Sequence, residues 1–290
     1  MKELVIISGK GGTGKTTLMA AFASLAENRV LCDADVDAAD LHLIMNPKIL
    51  ENHDFQGGNE AIIDPEKCTS CGICQGLCRW KAINDDYVID PLSCEGCGVC
   101  VYFCPEKAIE FPVKTCGEWY ISDTRFGPMV HARLGIAEEN SGKLVTQVRQ
   151  KSQELAEEKG LNLILTDGPP GVGCPVIASI GGASAVLIVT EPTVSGKHDL
   201  ERVAQLAAHF KIKAMVCVNK SDLNPDKTQD IRHYAREKGL IFLGEIPFDP
   251  DFTRSMIKGQ TIFEYNGDSS SGQAIREIWD GVGDVLELNK

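Results

Sequence analysis

Residues 1–26 read MKELVIISGKGGTGKTTLMAAFASLA, and this stretch decides the fold of the chain. The apolar run 4–7 predicts a buried strand, and the alanine-rich run 17–26 predicts a helix. Between them, residues 9–16 fit the pattern G-x-x-x-x-G-K-[ST], whose glycines let backbone N–H groups turn inward at the positive end of the following helix. The sequence therefore predicts a phosphate-binding loop between the first strand and the first helix.

This loop also supplies residues that we expect to hold a nucleotide and its metal ion. Lys15 is expected to reach the β- and γ-phosphates, and the hydroxyl of Thr16 is expected to ligate Mg²⁺. The predicted nucleotide-binding residues of the loop are Gly9, Gly11, Gly12, Thr13, Gly14, Lys15, Thr16 and Thr17.

Short runs rich in Val, Ile and Leu alternate with helical stretches along most of the chain. The predicted strands after the first cover residues 30–32, 161–166, 185–190, 214–219 and 240–244. The predicted later helices cover residues 142–159, 198–210, 226–238 and 273–288. Buried strands that alternate with helices indicate an α/β fold with a doubly wound, mostly parallel sheet.

Residues 61–112 differ from this pattern, because they are dense in Cys, Gly and Pro and contain an internal repeat. The segment DPEKC at 64–68 returns 26 residues later as DPLSC at 90–94. Units this small cannot bury a sufficient hydrophobic core of their own. We therefore predict a P-loop domain formed by residues 1–60 and 113–290, interrupted by a small α+β ferredoxin-like insert at 61–112.

Eight of the twelve cysteines lie in this insert, in two runs of C-x2-C-x2-C-x3-C. The doubled run resembles that of bacterial two-cluster ferredoxins, in which the fourth cysteine of each run ligates the other cluster. The resemblance implies two [4Fe–4S] clusters. The implied ligands of the first are Cys68, Cys71, Cys74 and Cys104. Those of the second are Cys94, Cys97, Cys100 and Cys78.

Structural zinc and disulfides are the alternatives for these eight cysteines. Tandem runs of this spacing are uncommon in zinc sites, and disulfide frameworks are typical of small secreted chains. One position departs from the repeat, since Arg79 stands where the second run has Pro105. The remaining cysteines, which we expect to be structural thiols, are Cys32, Cys116, Cys174 and Cys217.

Outside the insert, the chain resembles the MinD/ParA/Mrp class of P-loop ATPases. The loop that begins GKGGTGKTT at residue 9 has the deviant Walker A form of that class. The acidic pair in DAD at 33–35 follows the second predicted strand, where the class carries switch I. DGPPG at 167–171 resembles its switch II, and IPFD at 246–249 resembles its late I-P-x-D loop.

This resemblance implies a role for each matching residue. Lys10 would cross a dimer interface to the partner's phosphates, and Asp35 would orient the attacking water, so the implied catalytic residues are Lys10, Lys15 and Asp35. The implied Mg²⁺ residues are Thr16, Asp33 and Asp167. The implied adenine contacts are Asn219 and Pro247. Residues 219–222 also spell N-K-x-D, which GTPases use to read guanine, and GTP is therefore the alternative to ATP.

The overall charge of the chain bears on which classes of partner it can bind. A net charge of -12 argues against a nucleic-acid or membrane partner, because both need a basic face. The first strand begins at once, and no apolar run is long enough to span a bilayer, so we expect a cytoplasmic protein. The helix at 273–288 is amphipathic with an acidic polar face, and we expect it to pack on its own domain.

Together these patterns predict an iron–sulfur ATPase that couples its nucleotide state to electron transfer through two [4Fe–4S] clusters to a partner protein. The alternative is an ATPase that acts in iron–sulfur or other metal-cluster maturation. If Lys10 acts on a partner's nucleotide, the active unit is a homodimer or a heterodimer with a related ATPase. The other expected partner is a redox or client protein.

Overall fold

The computed structural model describes residues 1–135 and 141–288. These residues divide into two compact units. The first unit comprises residues 1–52, 119–133 and 141–288, and the second comprises 53–118 and 134–135. The predicted insert at 61–112 falls inside the second unit, whereas residues 136–140 and 289–290 of the predicted P-loop domain lie outside the described residues.

A mostly parallel sheet organises the strands, as the sequence predicts. The strands are β1 (Lys2–Ser8), β2 (Arg29–Asp33), β3 (Lys48–Asn59), β4 (Ile62–Ile63), β5 (Ile109–Glu110), β6 (Val113–Thr124), β7 (Gly127–Leu134), β8 (Leu163–Pro170), β9 (Ala185–Thr190), β10 (Lys213–Asn219) and β11 (Ile241–Ile246). Within the described residues, nine of them form one sheet in the order β11-β10-β9-β1-β8-β2-β7-β6-β3. Every pairing from β11 through to β7 is parallel.

Helices follow most of the parallel strands. They are α1 (Lys15–Leu25), α2 (Leu41–Met45), α3 (Ile73–Leu77), α4 (Val99–Phe103), α5 (Ser141–Lys159), α6 (Cys174–Ile180), α7 (Val194–His209), α8 (Pro225–Glu237), α9 (Asp251–Ile257), α10 (Ile262–Asn266) and α11 (Ser270–Leu286). The helix predicted from 198 begins earlier because Thr193 is its N-cap, and the Thr193 hydroxyl accepts a hydrogen bond from the Gly196 N–H at 2.9 Å. No helix within the described ranges is long and apolar enough to cross a membrane.

The core of the first unit lies on both faces of β1. Leu4 and Ile6 pack with α1 and α11 on one face, and Val5 and Ile7 pack with α7 on the other. Helix α11 buries its apolar side in the first of these layers, where the ring of Trp279 lies 5.0 Å from that of Phe22. The expectation that this helix packs on its own domain is confirmed.

The second unit is small and contains both copies of the repeat. Strands β4 and β5 pair antiparallel, with Ile63 opposite Ile109. Ile109 packs with Ala61, Cys74 and Ile83 in a minor core, and several cysteines lie against it. This minor core is much smaller than that of the first unit.

Candidate functional site

The phosphate-binding loop joins β1 to α1 at the carboxyl edge of the sheet. Gly12 and Gly14 have φ angles of 78° and 88°, a backbone conformation that favours glycine. Asn219, at the end of β10, donates its side-chain N–H to the Thr13 carbonyl at 2.8 Å. A Cβ at Gly14 would lie 2.3 Å from that Asn219 nitrogen, so the loop and β10 require glycine there.

A buried cluster of one lysine and three carboxylates lies beside this loop. Lys15 Nζ is 2.9 Å from Asp167 Oδ1 and 3.2 Å from Asp35 Oδ2. Asp33 Oδ1 accepts the Asp35 backbone N–H at 3.2 Å. Strand pairing sets Asp33 directly beside Asp167 in the sheet. The structure thus brings together Lys15, Asp33, Asp35 and Asp167, residues that the sequence predicts for one site.

The electrostatics of this cluster show a deficit of positive charge. Burial raises the pKa of the Asp33 carboxyl well above its usual range, Asp167 adds to the shift, and Lys15 opposes it. Burial likewise raises the pKa of Asp35 against the opposing effect of Lys15. For Lys15, burial would lower the pKa, but Asp167 and Asp35 outweigh it and the pKa is raised.

Two buried carboxylate oxygens in the cluster, Asp33 Oδ2 and Asp167 Oδ2, have no hydrogen-bond partner among the residues that the structure describes. A buried oxygen of this kind is costly unless it binds a donor, a water or a cation. Carboxylate oxygens and a threonine hydroxyl are ligands that Mg²⁺ prefers, either directly or through its waters. Asp33, Asp167 and Thr16 are therefore chemically suited to hold a magnesium ion.

A second charged group connects the loop to β9 and β10. Lys10 Nζ lies 3.1 Å from Glu191 Oε2 and 3.4 Å from Ser195 Oγ. Lys220 Nζ pairs with the other oxygen of Glu191 and donates to the Gly12 carbonyl at 3.2 Å. Partial burial would raise the pKa of Glu191, but Lys220 and Lys10 hold it below its usual range. Sequence reasoning missed Glu191, although its position directly after a buried parallel strand is a signal that could have found it.

An open cleft of about 1260 Å³, including the space open to solvent, extends from the loop past Asn219. Its walls include loop residues 11–17 and Asn219, and Ile246 and Phe248 on either side of Pro247. Residues of α9 and α11 that the sequence did not indicate also line it, namely Phe252, Thr253, Met256 and Ile275. A mostly apolar wall of this kind suits a flat heterocycle.

The N-K-x-D segment uses its polar groups within the protein. Asp222 Oδ1 accepts the backbone N–H of Phe248 at 2.6 Å, which ties it to the loop after β11. Asn219 and Lys220 are committed to the phosphate-binding loop and to Glu191, as described above. These contacts hold the segment against the rest of the protein, and Asp222 is not among the described residues that line the cleft.

In the second unit, the two cysteine runs line two separate cavities. Four of the residues around the first cavity are Cys68, Cys71, Cys74 and Cys104. Four of those around the second are Cys78, Cys94, Cys97 and Cys100. Each cavity is thus lined by the first three cysteines of one run and the fourth cysteine of the other.

Matching backbone geometry surrounds the two sets of thiols. Lys81 and Lys107 adopt φ angles of 53° and 51°. Each is followed by an alanine whose N–H donates to the sulfur of the fourth cysteine, from Ala82 to Cys78 and from Ala108 to Cys104, both at 3.3 Å. Hydrogen bonds to the sulfur favour the thiolate, which is the form that ligates iron.

Each set of four cysteines lines a cavity, as described above. Within residues 1–135 and 141–288, no three His, Cys, Asp or Glu side chains are grouped so that they could hold a metal ion. Of the other cysteines, Cys32 and Cys217 are fully buried in strands, and burial raises the pKa of each to about 12. Cys116 is buried and Cys174 is exposed at the start of α6.

Comparison with known proteins identifies relatives of the whole chain. The family pattern described as the CobQ/CobB/MinD/ParA nucleotide-binding domain matches residues 4–262. An uncharacterized protein of Methanocaldococcus jannaschii is 30% identical over 290 residues, which cover 98% of this chain and 97% of that protein. The putative septum site-determining protein MinD of Chlorella vulgaris is 27% identical over 274 residues, covering 90% of this chain and 77% of that one.

Solved structures show the same fold. The septum site-determining protein MinD of Pyrococcus horikoshii, in complex with Mg-ADP, matches with a TM-score of 0.61 and 16% identity, covering 100% of this chain and 98% of that one. The cell division ATPase MinD of Pyrococcus furiosus matches with a TM-score of 0.59 and 17% identity, covering 98% and 99%.

Proposed function

The chain belongs to the CobQ/CobB/MinD/ParA family of nucleotide-binding domains, and from this premise we propose that it is an ATPase that couples its nucleotide state to one-electron transfer. One observation carries the proposal: a single chain combines a phosphate-binding loop beside cation-deficient carboxylates with two cavities that are each lined by four cysteines. The first feature suits hydrolysis of a nucleoside triphosphate, and the second suits redox cofactors.

Hydrolysis requires a placed water and neutralised phosphate charge more than a covalent nucleophile. In the proposed reaction, water attacks the γ-phosphorus and the bond to the β–γ bridging oxygen breaks, giving ADP and phosphate. Lys15 would leave Asp167 and Asp35 to contact the β- and γ-phosphates. Mg²⁺ bound through Thr16, Asp33 and Asp167 would then take over the positive charge that Lys15 supplies to the carboxylates.

The proposed movement of Lys15 from the carboxylates to the phosphates would free Asp35 to contact water. Its carboxylate lies at the mouth of the cluster, and it lines the cleft together with the loop. Once Lys15 moves to the phosphates, Asp35 can accept a hydrogen bond from the attacking water and so orient it. Asp33, which is fully buried, is suited to the metal rather than to the water.

Lys10 is proposed to act on the nucleotide of a second subunit, in a homodimer or a heterodimer with a related ATPase. Its side chain is 34% exposed and is held by Glu191 of the same chain. An approaching triphosphate offers Lys10 more negative charge than one carboxylate, so partner binding can draw it away from Glu191. ATP is preferred to GTP, because Asp222 is not among the described residues that line the cleft.

The two cysteine sets fit [4Fe–4S] clusters better than zinc. Zinc draws four thiolates onto one ion, whereas a cubane takes one thiolate at each iron, so its ligands enclose a volume. Each bound cluster would supply a centre that accepts and releases one electron. The electron would come from a reduced donor protein and leave to an oxidised acceptor protein, and these proteins are the proposed redox partners.

The first test compares the dissociation constant of a non-hydrolysable ATP analogue between oxidised and dithionite-reduced protein, both handled without oxygen. Linkage requires that any redox effect on nucleotide affinity equals the effect of the nucleotide on cluster potential. An affinity ratio different from one supports coupling, and a tenfold ratio per electron equals a shift of about 59 mV. Equal affinities would refute coupling through potential and promote the alternative, cluster maturation.

The nucleotide site has its own test. Lys15→Ala should abolish ATP hydrolysis and retain the iron content of the parent protein. The matched control is Lys238→Ala, which removes an exposed lysine of the same unit and should leave hydrolysis unchanged. Normal hydrolysis in the Lys15 variant would refute the assignment of the site.

A further inference from the structure

The two cysteine-lined cavities are built by the same repeat, so their walls can be compared position by position. Every wall residue of the first cavity has a counterpart, 26 residues away, in the wall of the second. Ile63 corresponds to Ile89, for example, and Ile109 to Ile83. Because one backbone arrangement is built with either residue of a pair, a difference at a matched position is not required by folding.

Three of the matched positions that differ change the charge around the thiols. Glu106 lines the first cavity, and its counterpart in the second is Trp80. Pro105 lines the first, and its counterpart is Arg79. Thr69 lines the first, and its counterpart is Glu95. The wall of the first cavity therefore carries one negative charge, whereas Arg79 and Glu95 balance in the wall of the second.

The cavities also differ in size and in one large wall residue. The first, of about 330 Å³ with the space open to solvent, has Tyr87 in its wall where the second has Ala61, and the Tyr87 hydroxyl donates to the Ser70 carbonyl at 2.8 Å. The second, of about 800 Å³, has Trp80 in its wall with 52% of its surface exposed, and Leu77 with 44%. Of the matched thiols, Cys74 in the first set is buried, whereas Cys100 in the second is half-buried, so water reaches the second set more readily.

Both differences act in the same direction on an added electron. Less negative charge and more solvent near a cluster stabilise its reduced state and raise its reduction potential. We propose that the two cysteine sets hold clusters of unequal potential, and that Arg79 makes the set of Cys78, Cys94, Cys97 and Cys100 the one on which a transferred electron rests. This inference rests on the proposed function, since it requires that both clusters are bound.

The direct test is a redox titration of the full-length protein, reconstituted with iron and sulfide without oxygen and reduced with dithionite. Electron paramagnetic resonance follows the reduced clusters. Two one-electron components are expected. Arg79→Gln should lower the ratio of reduced to oxidised protein about threefold for the higher component only, which is a shift of about 28 mV.

Matched variants separate the effect of Arg79 from a general loss of charge. Lys238→Gln removes one positive charge from the first unit and should shift neither component. Glu106→Gln removes the negative charge in the wall of the first cavity and should raise only the lower component. A further variant with both Cys94→Ala and Cys97→Ala should lose the higher component and keep the lower one.

Several outcomes would overturn the inference. These are two components of equal potential, an Arg79→Gln variant that titrates like the parent, and loss of the lower component in the Cys94→Ala and Cys97→Ala variant. If any of these occurs while the parent protein carries both clusters, the proposed function stands and only the inequality fails. Protein that takes up no iron on reconstitution would refute the proposed function and the inference together.

Discussion

Replacing Lys15 with alanine should destabilise the nucleotide-free protein as well as abolish hydrolysis. Lys15 Nζ lies 2.9 Å from Asp167 Oδ1, and the two side chains are 7% and 1% exposed. The substitution leaves the Asp167 carboxylate buried without its cation. Removing one partner of a buried ion pair costs about 3–5 kcal/mol. At about 2–4 °C per kcal/mol, the melting temperature should fall by about 6–20 °C.

The assay is urea unfolding at pH 7, followed by tryptophan fluorescence. Trp80→Phe in every variant leaves Trp119 and Trp279, both in the first unit, as the reporters. The pKa of Lys15 is raised above its ordinary value of 10.5, so its stabilising contribution is complete at pH 7 and is lost only as the pH rises through the raised value.

A second substitution identifies the cause of the destabilisation. Asp167→Asn removes the carboxylate charge that Lys15→Ala leaves buried without a cation. The variant with both substitutions should therefore recover most of the lost free energy of unfolding. The reasoning would be refuted by a single variant that unfolds within about 1 kcal/mol of the parent, the upper range for an exposed pair. A double variant no more stable than the single one would refute it equally.

Three further predictions concern other residues of the nucleotide site. Glu191→Gln removes the carboxylate that pairs with Lys10. In sedimentation with a non-hydrolysable ATP analogue, this variant should therefore self-associate more than the parent does, and less association would contradict the prediction. ATP should bind at least tenfold more tightly than GTP in calorimetry, because Asp222 is not among the described residues that line the cleft, and equal affinities would contradict it. The pKa of Asp33 is raised by burial, so the nucleotide-free protein should lose stability as the pH rises from about 4 through the raised value, and Asp33→Asn should reduce that loss in unfolding experiments; an unchanged pH profile would argue against it.

The sequence alone determined the local features of this protein. The strand, glycine loop and helix at residues 1–26 are encoded by adjacent residues, as is the alternation of apolar strands with helices. The spacing of the cysteines and their 26-residue repeat could also be read directly. Such features depend on neighbours in the chain, which is why α5 and β9 lie within a residue or two of the predicted bounds.

Only the tertiary structure decided which distant groups meet. Asp33 lies beside Asp167 because β2 pairs with β8, and Lys10 meets Glu191 because β9 lies next to β1. Met256 of α9 lines the cleft together with residues of the phosphate-binding loop, although it is distant from them in the sequence. Hydrophobic patterns indicate which segments are strands but not their order in the sheet, which is set by the joint packing of all the helices and strands.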